Sequence, residues 1–172
     1  RGPRWRILIA GVAGCLGSNR LWNWLTKGHE IRGVDNFATG KREVVPQTAG
    51  LHVVEGSIVD AILVEREFAR FRPQVVIHSA ASYKDPANWR EDAATNVIGS
   101  INVVRASEAC GAKRLVNFQT ALCYGRPTQV PIPWDHATSP LTSSGIQKPA
   151  EAKFVPQPTI SAVSRLDATI SW

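Results

Sequence analysis

The chain has 172 residues, 44% of them hydrophobic and 20% charged, which supports one domain with a sizeable core and excludes a disordered chain. The net charge of +6 suits an anionic partner. The basic residues are scattered, however, with no basic stripe and no finger, RNA-recognition or helix-turn-helix signature, so no nucleic-acid partner is expected.

The elements alternate along the chain. WRILIA (5–10) is a short apolar run that predicts a strand and enters a glycine-rich turn, GVAGCLG (11–17). SNRLWNWLTKGHE (18–30) sets Leu21, Trp22, Trp24 and Leu25 at helical spacing, with Gly28 as the stop. EIRGVD (30–35) and LHVVEG (51–56) predict a second and a third strand. AILVEREFARF (61–71) predicts a helix with Ile62, Leu63, Phe68 and Phe71 on its inner side, closed by Pro73. QVVIHSA (74–80) predicts a fourth strand buried on both faces. TNVIGSINVVRASEAC (95–110) predicts a long helix with Val97, Ile101, Val104 and Ala109 inward and Gly111 at its end; KRLVNFQ (113–119) is the fifth strand. From about residue 126 Pro, Ser and Thr accumulate, and loops are expected there with one helix near 143–154 and a weak strand near 159–164.

Strands alternating with helices predict an α/β fold: a Rossmann-like, doubly wound parallel sheet with helices on both faces. It forms a single domain over 1–172, regular to about 125 and loop-rich over 126–172. No internal repeat is visible. No apolar run approaches the ~18 residues that span a bilayer, and RGPRWRILIA lacks a signal peptide's apolar core, so no membrane association is expected. The three cysteines, Cys15, Cys110 and Cys123, are odd in number and form no CxxC pair. They argue against a disulfide framework or zinc site and point to the cytoplasm. His29, His52, His78 and His136 have no ligand spacing, so no metal is expected. The chain has no Met, which is expected of one that starts after its natural first residue.

The glycine turn carries the first chemical signal. Gly11 permits the tight turn, Gly14 lets backbone approach a pyrophosphate, and Gly17 lets the following helix pack closely. Cys15 and Leu16 complete the loop, whose N–H groups face the phosphates. GxxGxxG is weak alone, but here a strand precedes it, a helix follows it, and an acid ends the second strand. That acid, Asp35, stands 18 residues beyond Gly17. A carboxylate there accepts the adenine-ribose hydroxyls of NAD and repels the 2′-phosphate of NADP. The other reading is a turn-forming Asp before Asn36. Lys41-Arg42 reads as a solvated pair.

With these residues in place, the sequence resembles the extended short-chain dehydrogenase/reductases, specifically the NAD-dependent nucleotide-sugar epimerases and dehydratases. The resemblance runs through GVAGCLGSN (11–19), GVDNFATGKRE (33–43), VIHSAASYKDP (76–86), TNVIGSINVVRASEACGAKRLVNFQTALCYG (95–125) and PLTSSGIQK (140–148). It implies a pyrophosphate loop at Gly11, Gly14 and Gly17, an adenosine-ribose site at Asp35 and Asn36, and an adenine edge at Ser57 and Ile58. It also implies a cofactor wall at Ala80, Ala81 and Ser82, with Asn96 supporting the site. Thr120 falls on the Ser/Thr that hydrogen-bonds the sugar, and Lys148 on the lysine of YxxxK. Such enzymes oxidise a nucleotide-sugar, usually at C4, with a tyrosine phenolate as base and NAD taking the hydride. The ketose is then epimerised or dehydrated and reduced again. The implied substrate is a UDP-sugar in bacterial surface-polysaccharide biosynthesis. Pairing of the helices at 95–110 and 143–154 implies a homodimer.

Three departures stand out. Ser144 occupies the place of the tyrosine, and the chain's two tyrosines, Tyr83 and Tyr124, are the remaining candidates for a base. Pro149 follows Lys148 and is expected to kink or break the helix unless it starts near Lys148. The chain ends about where a sixth strand finishes, at 161–170, so the C-terminal substrate-binding part is expected to be largely missing. NAD binding with little or no turnover is therefore expected. The alternative is a non-catalytic NAD-binding sensor or interaction module on the same fold.

Overall fold

The computed structural model describes residues 3–83, 87–133 and 135–154. Five strands form one parallel sheet: β1 (Arg6–Ala10), β2 (Glu30–Asp35), β3 (Leu51–Glu55), β4 (Val75–His78) and β5 (Arg114–Asn117), in the order β3-β2-β1-β4-β5. The order reverses beside β1, which pairs with β2 from Arg6↔Glu30 to Ala10↔Val34 and with β4 from Ile7↔Val75 to Ala10↔His78. In an open parallel sheet such a reversal leaves a crevice beyond the carboxyl ends of the strands.

The apolar runs of β1 and β4 follow from burial on both faces. Side chains alternate, so Leu8 and Ala10 enter one core with Val64, Phe68, Val103 and Val104, while Ile7 and Ile9 enter the other with Leu21 and Ile31. Helix α3 (Ala61–Phe71) and helix α5 (Ser100–Ala109) cover the first face. Helix α2 (Leu21–Thr26) covers the second.

Several helices differ in detail from the sequence expectation. The first breaks into α1 (Cys15–Asn19) and α2 around Arg20, starting earlier than expected, and Gly28 stops it at φ +80°. Trp22 is 61% exposed and Ile62 78%; the inner face of α3 is Val64, Glu67, Phe68 and Phe71. Burying Glu67 is tolerable because Arg32 and Arg66 pair with it, at 2.6 and 3.1 Å. Arg72 closes α3 in the left-handed conformation just before Pro73. The helix expected at 95–110 begins earlier, at α4 (Trp89–Ala93), and passes through a π-helical stretch, Ala94–Gly99, into α5. The wider turn shifts the phase, so Ala109 faces solvent while Val103, Val104, Ala106 and Ser107 face inward.

Helix α6 (Ser143–Ala152) runs through Pro149 without the expected break. Thr142 caps it, its hydroxyl accepting from the Gly145 amide at 3.2 Å, and the buried Lys148 and Glu151 fasten it on either side of the proline. Between the short 3-10 turn Ala121–Tyr124 and α6, the described residues contain no helix or strand. The strand expected near 159–164 and the segment 161–170 lie outside the described residues. Among the described residues no helix is long and apolar enough to cross a membrane.

Candidate functional site

A cleft of about 710 Å³ opens at the carboxyl ends of the strands, and all five following loops line it: Gly11–Leu16 in part, Asn36–Gly40 in part, Gly56–Ile58, Ser79–Tyr83 and Phe118–Leu122 in part. Asn96, Ser144 and Lys148 close it from the helical side. Of the residues singled out in the sequence, Gly11, Gly14, Cys15, Leu16, Asp35, Asn36, Ser57, Ile58, Ala80, Ala81, Ser82, Asn96, Thr120, Ser144 and Lys148 all lie on its wall. Gly17 does not.

The three loop glycines have different causes. Gly11 sits at φ +84°, and a Cβ there would lie 2.6 Å from the Ala80 nitrogen. A Cβ on Gly17 would come within 2.8 Å of the Val12 Cα, so this glycine serves close packing of α1 on the loop. At Gly14 the nearest atom to a Cβ is the Gly11 carbonyl oxygen at 3.4 Å, an ordinary contact. What glycine spares at position 14 is space in the cleft, which fits a loop that admits a diphosphate against its backbone. Gly14 is also the N-cap of α1, whose first amides have no intrahelical partner.

Asp35 is 8% exposed at the end of β2. Its Oδ2 accepts the Ala13 amide at 2.8 Å and its Oδ1 the Phe37 amide at 2.8 Å. The turn-forming reading is therefore correct, and it coexists with a place on the cleft wall. Each oxygen retains a lone pair. Phe37 takes φ +55°, and the Asn36 side chain accepts the Ala38 amide at 3.1 Å. Arg42 is not simply solvated: it pairs with Glu55 at 2.6 Å and lies 4.0 Å from the Phe37 ring centre. The hydrogen bond from Arg42 lowers the Glu55 pKa. On the next loop the Ser57 hydroxyl accepts the Val59 amide at 3.2 Å, and Ile58 packs so tightly beside Gly99 that a Cβ there would lie 2.6 Å from its Cγ1.

The wall after β4 is held by Asn96, which the sequence resemblance implied, and by Asp92 and Ser143, which the sequence reading missed. Asn96, fully buried, accepts the Ser82 amide at 2.8 Å and donates to the Ser82 carbonyl at 2.9 Å, as a neighbouring strand would. The Ser82 hydroxyl donates to Asp92 at 2.8 Å, and the Ser143 hydroxyl donates to the other oxygen of the same carboxylate. Asp92 thus ties the wall to the first turn of α6. Asn96 also donates to Gln147 at 3.3 Å. No local sequence signal marks Asp92 or Ser143, because their partners lie far away in the chain.

Thr120 caps the short turn, accepting the Leu122 amide at 3.2 Å. Ser144 and Lys148 lie one turn apart on α6, both on the cleft wall, with Lys148 6% exposed. Of the two tyrosines, Tyr83 lines the cleft and is 67% exposed. Tyr124 is absent from the cleft wall and meets His136 edge-on at 5.7 Å. Beneath Lys148, His78 at the end of β4 is fully buried with its Nε2 2.7 Å from the Ser100 hydroxyl. Burial, and then repulsion by Lys148, push its pKa down to about 3. Among the described residues no group of His, Cys, Asp or Glu is placed to hold a metal ion.

A parallel sheet of this order, with its crevice built from a glycine loop and a strand-end acid, defines a Rossmann-like α/β domain. The chain belongs to the NAD dependent epimerase/dehydratase family, whose pattern its residues 7–151 match. Among curated proteins it is 35% identical over 149 residues to a UDP-glucose 4-epimerase of Corynebacterium glutamicum, covering 83% of this chain and 43% of that protein. Among solved structures it is similar to the Bordetella bronchiseptica enzyme WbmG in complex with NAD, at 63% identity and a TM-score of 0.87 over 90% of this chain and 50% of that one. It is also similar to WbmH of the same organism in complex with NAD+, at 41% identity and a TM-score of 0.85, covering 89% and 52%. The chain therefore spans about half the length of the relatives it matches.

Proposed function

We propose that this chain is the cofactor-binding half of an NAD-dependent UDP-sugar epimerase or dehydratase. The observation that carries the reading is the convergence of the Gly14 backbone, Asp35, Thr120 and Lys148 on one cleft. WbmG has been solved with NAD and UDP together, which supports the same pair of ligands here.

In this reading the amides of the Gly11–Gly17 loop bind the pyrophosphate. Asp35 and Asn36 accept the adenosine-ribose hydroxyls, Ser57 and Ile58 border the adenine, and Ala80, Ala81 and Ser82 flank the nicotinamide half with Asn96 behind them. When bound, NAD supplies the hydride acceptor. Thr120 orients the sugar hydroxyl and Lys148 holds the nicotinamide-ribose hydroxyls. The residue one turn before Lys148 faces the position where a proton must leave the sugar, and it is Ser144. A serine alcohol is far less acidic than a phenol, and a positioned base typically contributes ~10²–10⁴-fold. Binding of NAD with little or no turnover follows. A role in surface-polysaccharide synthesis in the cytoplasm accords with the bacterial relatives. The exposed Ile98 and Ile146, on the two helical segments, support a homodimer formed there.

Calorimetric titration with NAD and NADP, followed by NADH formation and epimerisation assays on a panel of UDP-sugars, tests the reading. NAD binding without turnover is expected; turnover by the unmodified chain overturns the inactive assignment. The Ser144→Tyr variant reports whether the missing base is what limits it. Because Ser144 sits where a base is needed, a sensor or interaction module is the second reading. A partner captured only in the presence of NAD favours it, and tight UDP-sugar binding favours the enzyme.

A further inference from the structure

Glu151 lies one turn beyond Lys148 on α6 and is 1% exposed. Its Oε1 accepts the Lys148 ammonium at 3.0 Å, Asn117 Nδ2 at 2.7 Å and Gln119 Nε2 at 3.3 Å. Its Oε2 accepts the Ser100 hydroxyl at 2.6 Å. The carboxylate is therefore fixed by the end of β5, the loop after it and the start of α5. These bonds converge on the residue that, among the described residues, pairs with Lys148.

The two carboxylates of α4, which packs against α6, are otherwise engaged. Asp92 on α4 is held by Ser82 and Ser143, and Glu91 accepts from the Asn88 side chain at 2.7 Å. His78 on β4 is held neutral by burial. The short turn before α6 contributes Cys123 and Tyr124. An ammonium has three N–H donors. With one on Glu151, two remain for the cleft that Lys148 lines.

We propose that Glu151 is the positioning residue of Lys148. Held by Asn117, Gln119 and Ser100, its carboxylate anchors the ammonium at the cleft wall and turns the remaining N–H bonds toward the hydroxyls of a bound nucleotide's ribose. The ligand side of this proposal rests on the cofactor reading above; the anchoring itself does not. A glutamine at 151 keeps the shape, with an amide oxygen for Lys148, Asn117 and Gln119 and an amide nitrogen that the Ser100 hydroxyl can accept, but it removes the negative charge that holds the ammonium.

The test is a double-mutant cycle on the whole chain, read by NAD titration. Glu151→Gln and Lys148→Met are each expected to weaken NAD binding about tenfold, and the pair together no more than about twofold beyond Lys148→Met alone. A purely structural role gives independent, multiplying losses, and that result overturns the proposal. Glu151→Asp keeps the charge and is expected to recover most of the loss; if Glu151→Gln does not fold, Asn117→Ala, which removes one anchor of the carboxylate, takes its place in the cycle with Lys148→Met. A second readout needs no nucleotide. Labelling of Lys148 by an amine-acylating reagent, followed by peptide mass spectrometry, is expected to rise several-fold in Glu151→Gln while Lys113 is unchanged. If the parent chain binds no NAD, the cofactor reading fails by itself. The labelling then decides the anchoring, an unchanged rate overturning it.

Discussion

The Asp35 carboxylate accepts the Ala13 amide at 2.8 Å across 22 positions of sequence, so the strand-end acid braces the glycine loop it faces. Its second oxygen holds the Phe37 amide. Removing the carboxyl group leaves two backbone donors without their partner. Asp35→Ala is expected to cost about 1–3 kcal/mol of folding stability and to abolish measurable NAD binding. Asp35→Asn retains one acceptor and is expected to lose less stability while still weakening NAD. Urea unfolding and calorimetry on both variants separate bracing from recognition.

Gly14 and Gly17 stand in one loop and should fail in opposite ways. A methyl group at Gly14 meets ordinary contacts within the protein. Gly14→Ala is therefore expected to cost no more than about 1 kcal/mol, the N-cap preference it gives up, while weakening NAD. Gly17→Ala forces backbone apart and is expected to cost about 1–3 kcal/mol as overpacking does. Paired melting and NAD-titration curves check the contrast.

His78 makes stability depend on pH. Its folded pKa of about 3 lies below the ordinary 6.5, so the unfolded chain binds the extra proton between those values. The stabilisation is complete above pH 6.5 and is lost as pH falls toward 3, at about 1.4 kcal/mol per unit. His29 shifts in the same direction but is partly exposed, so it adds little. Glu67, whose pKa is lowered by Arg32 and Arg66 against the opposing effect of burial, acts in the same direction but only below pH 4.5. Between pH 6.5 and 5 the parent chain is expected to lose about 2 kcal/mol, and His78→Asn much less. Urea midpoints across that range decide it.

Pro149 sits inside α6, where it removes the amide that would reach the Gly145 carbonyl. Pro149→Ala restores that bond and is expected to raise unfolding free energy by about 1–3 kcal/mol, most of the proline penalty. NAD affinity should be unchanged, because the flanking Lys148 and Glu151 already hold the helix in place. A higher thermal midpoint with the same dissociation constant is the expected pair of results.

What the amino-acid order determined alone was local. Five strands, the glycine loop, the acid at the end of β2 and the shared helical face of Ser144 and Lys148 all follow from spacing and periodicity within a few residues. Tertiary structure decided what depends on distant partners. Trp22, Ile62 and Ala109 look like core residues until the sheet and the π-helical stretch set which face turns inward. Asp92, Ser143 and Glu151 are ordinary polar residues until the fold brings Ser82, Asn117 and Ser100 to them. Helix α6 persists through Pro149 because contacts from other elements outweigh a local penalty. Hydrogen bonds and packing act through space, so a cleft built from five loops becomes complete only when all five strands lie side by side.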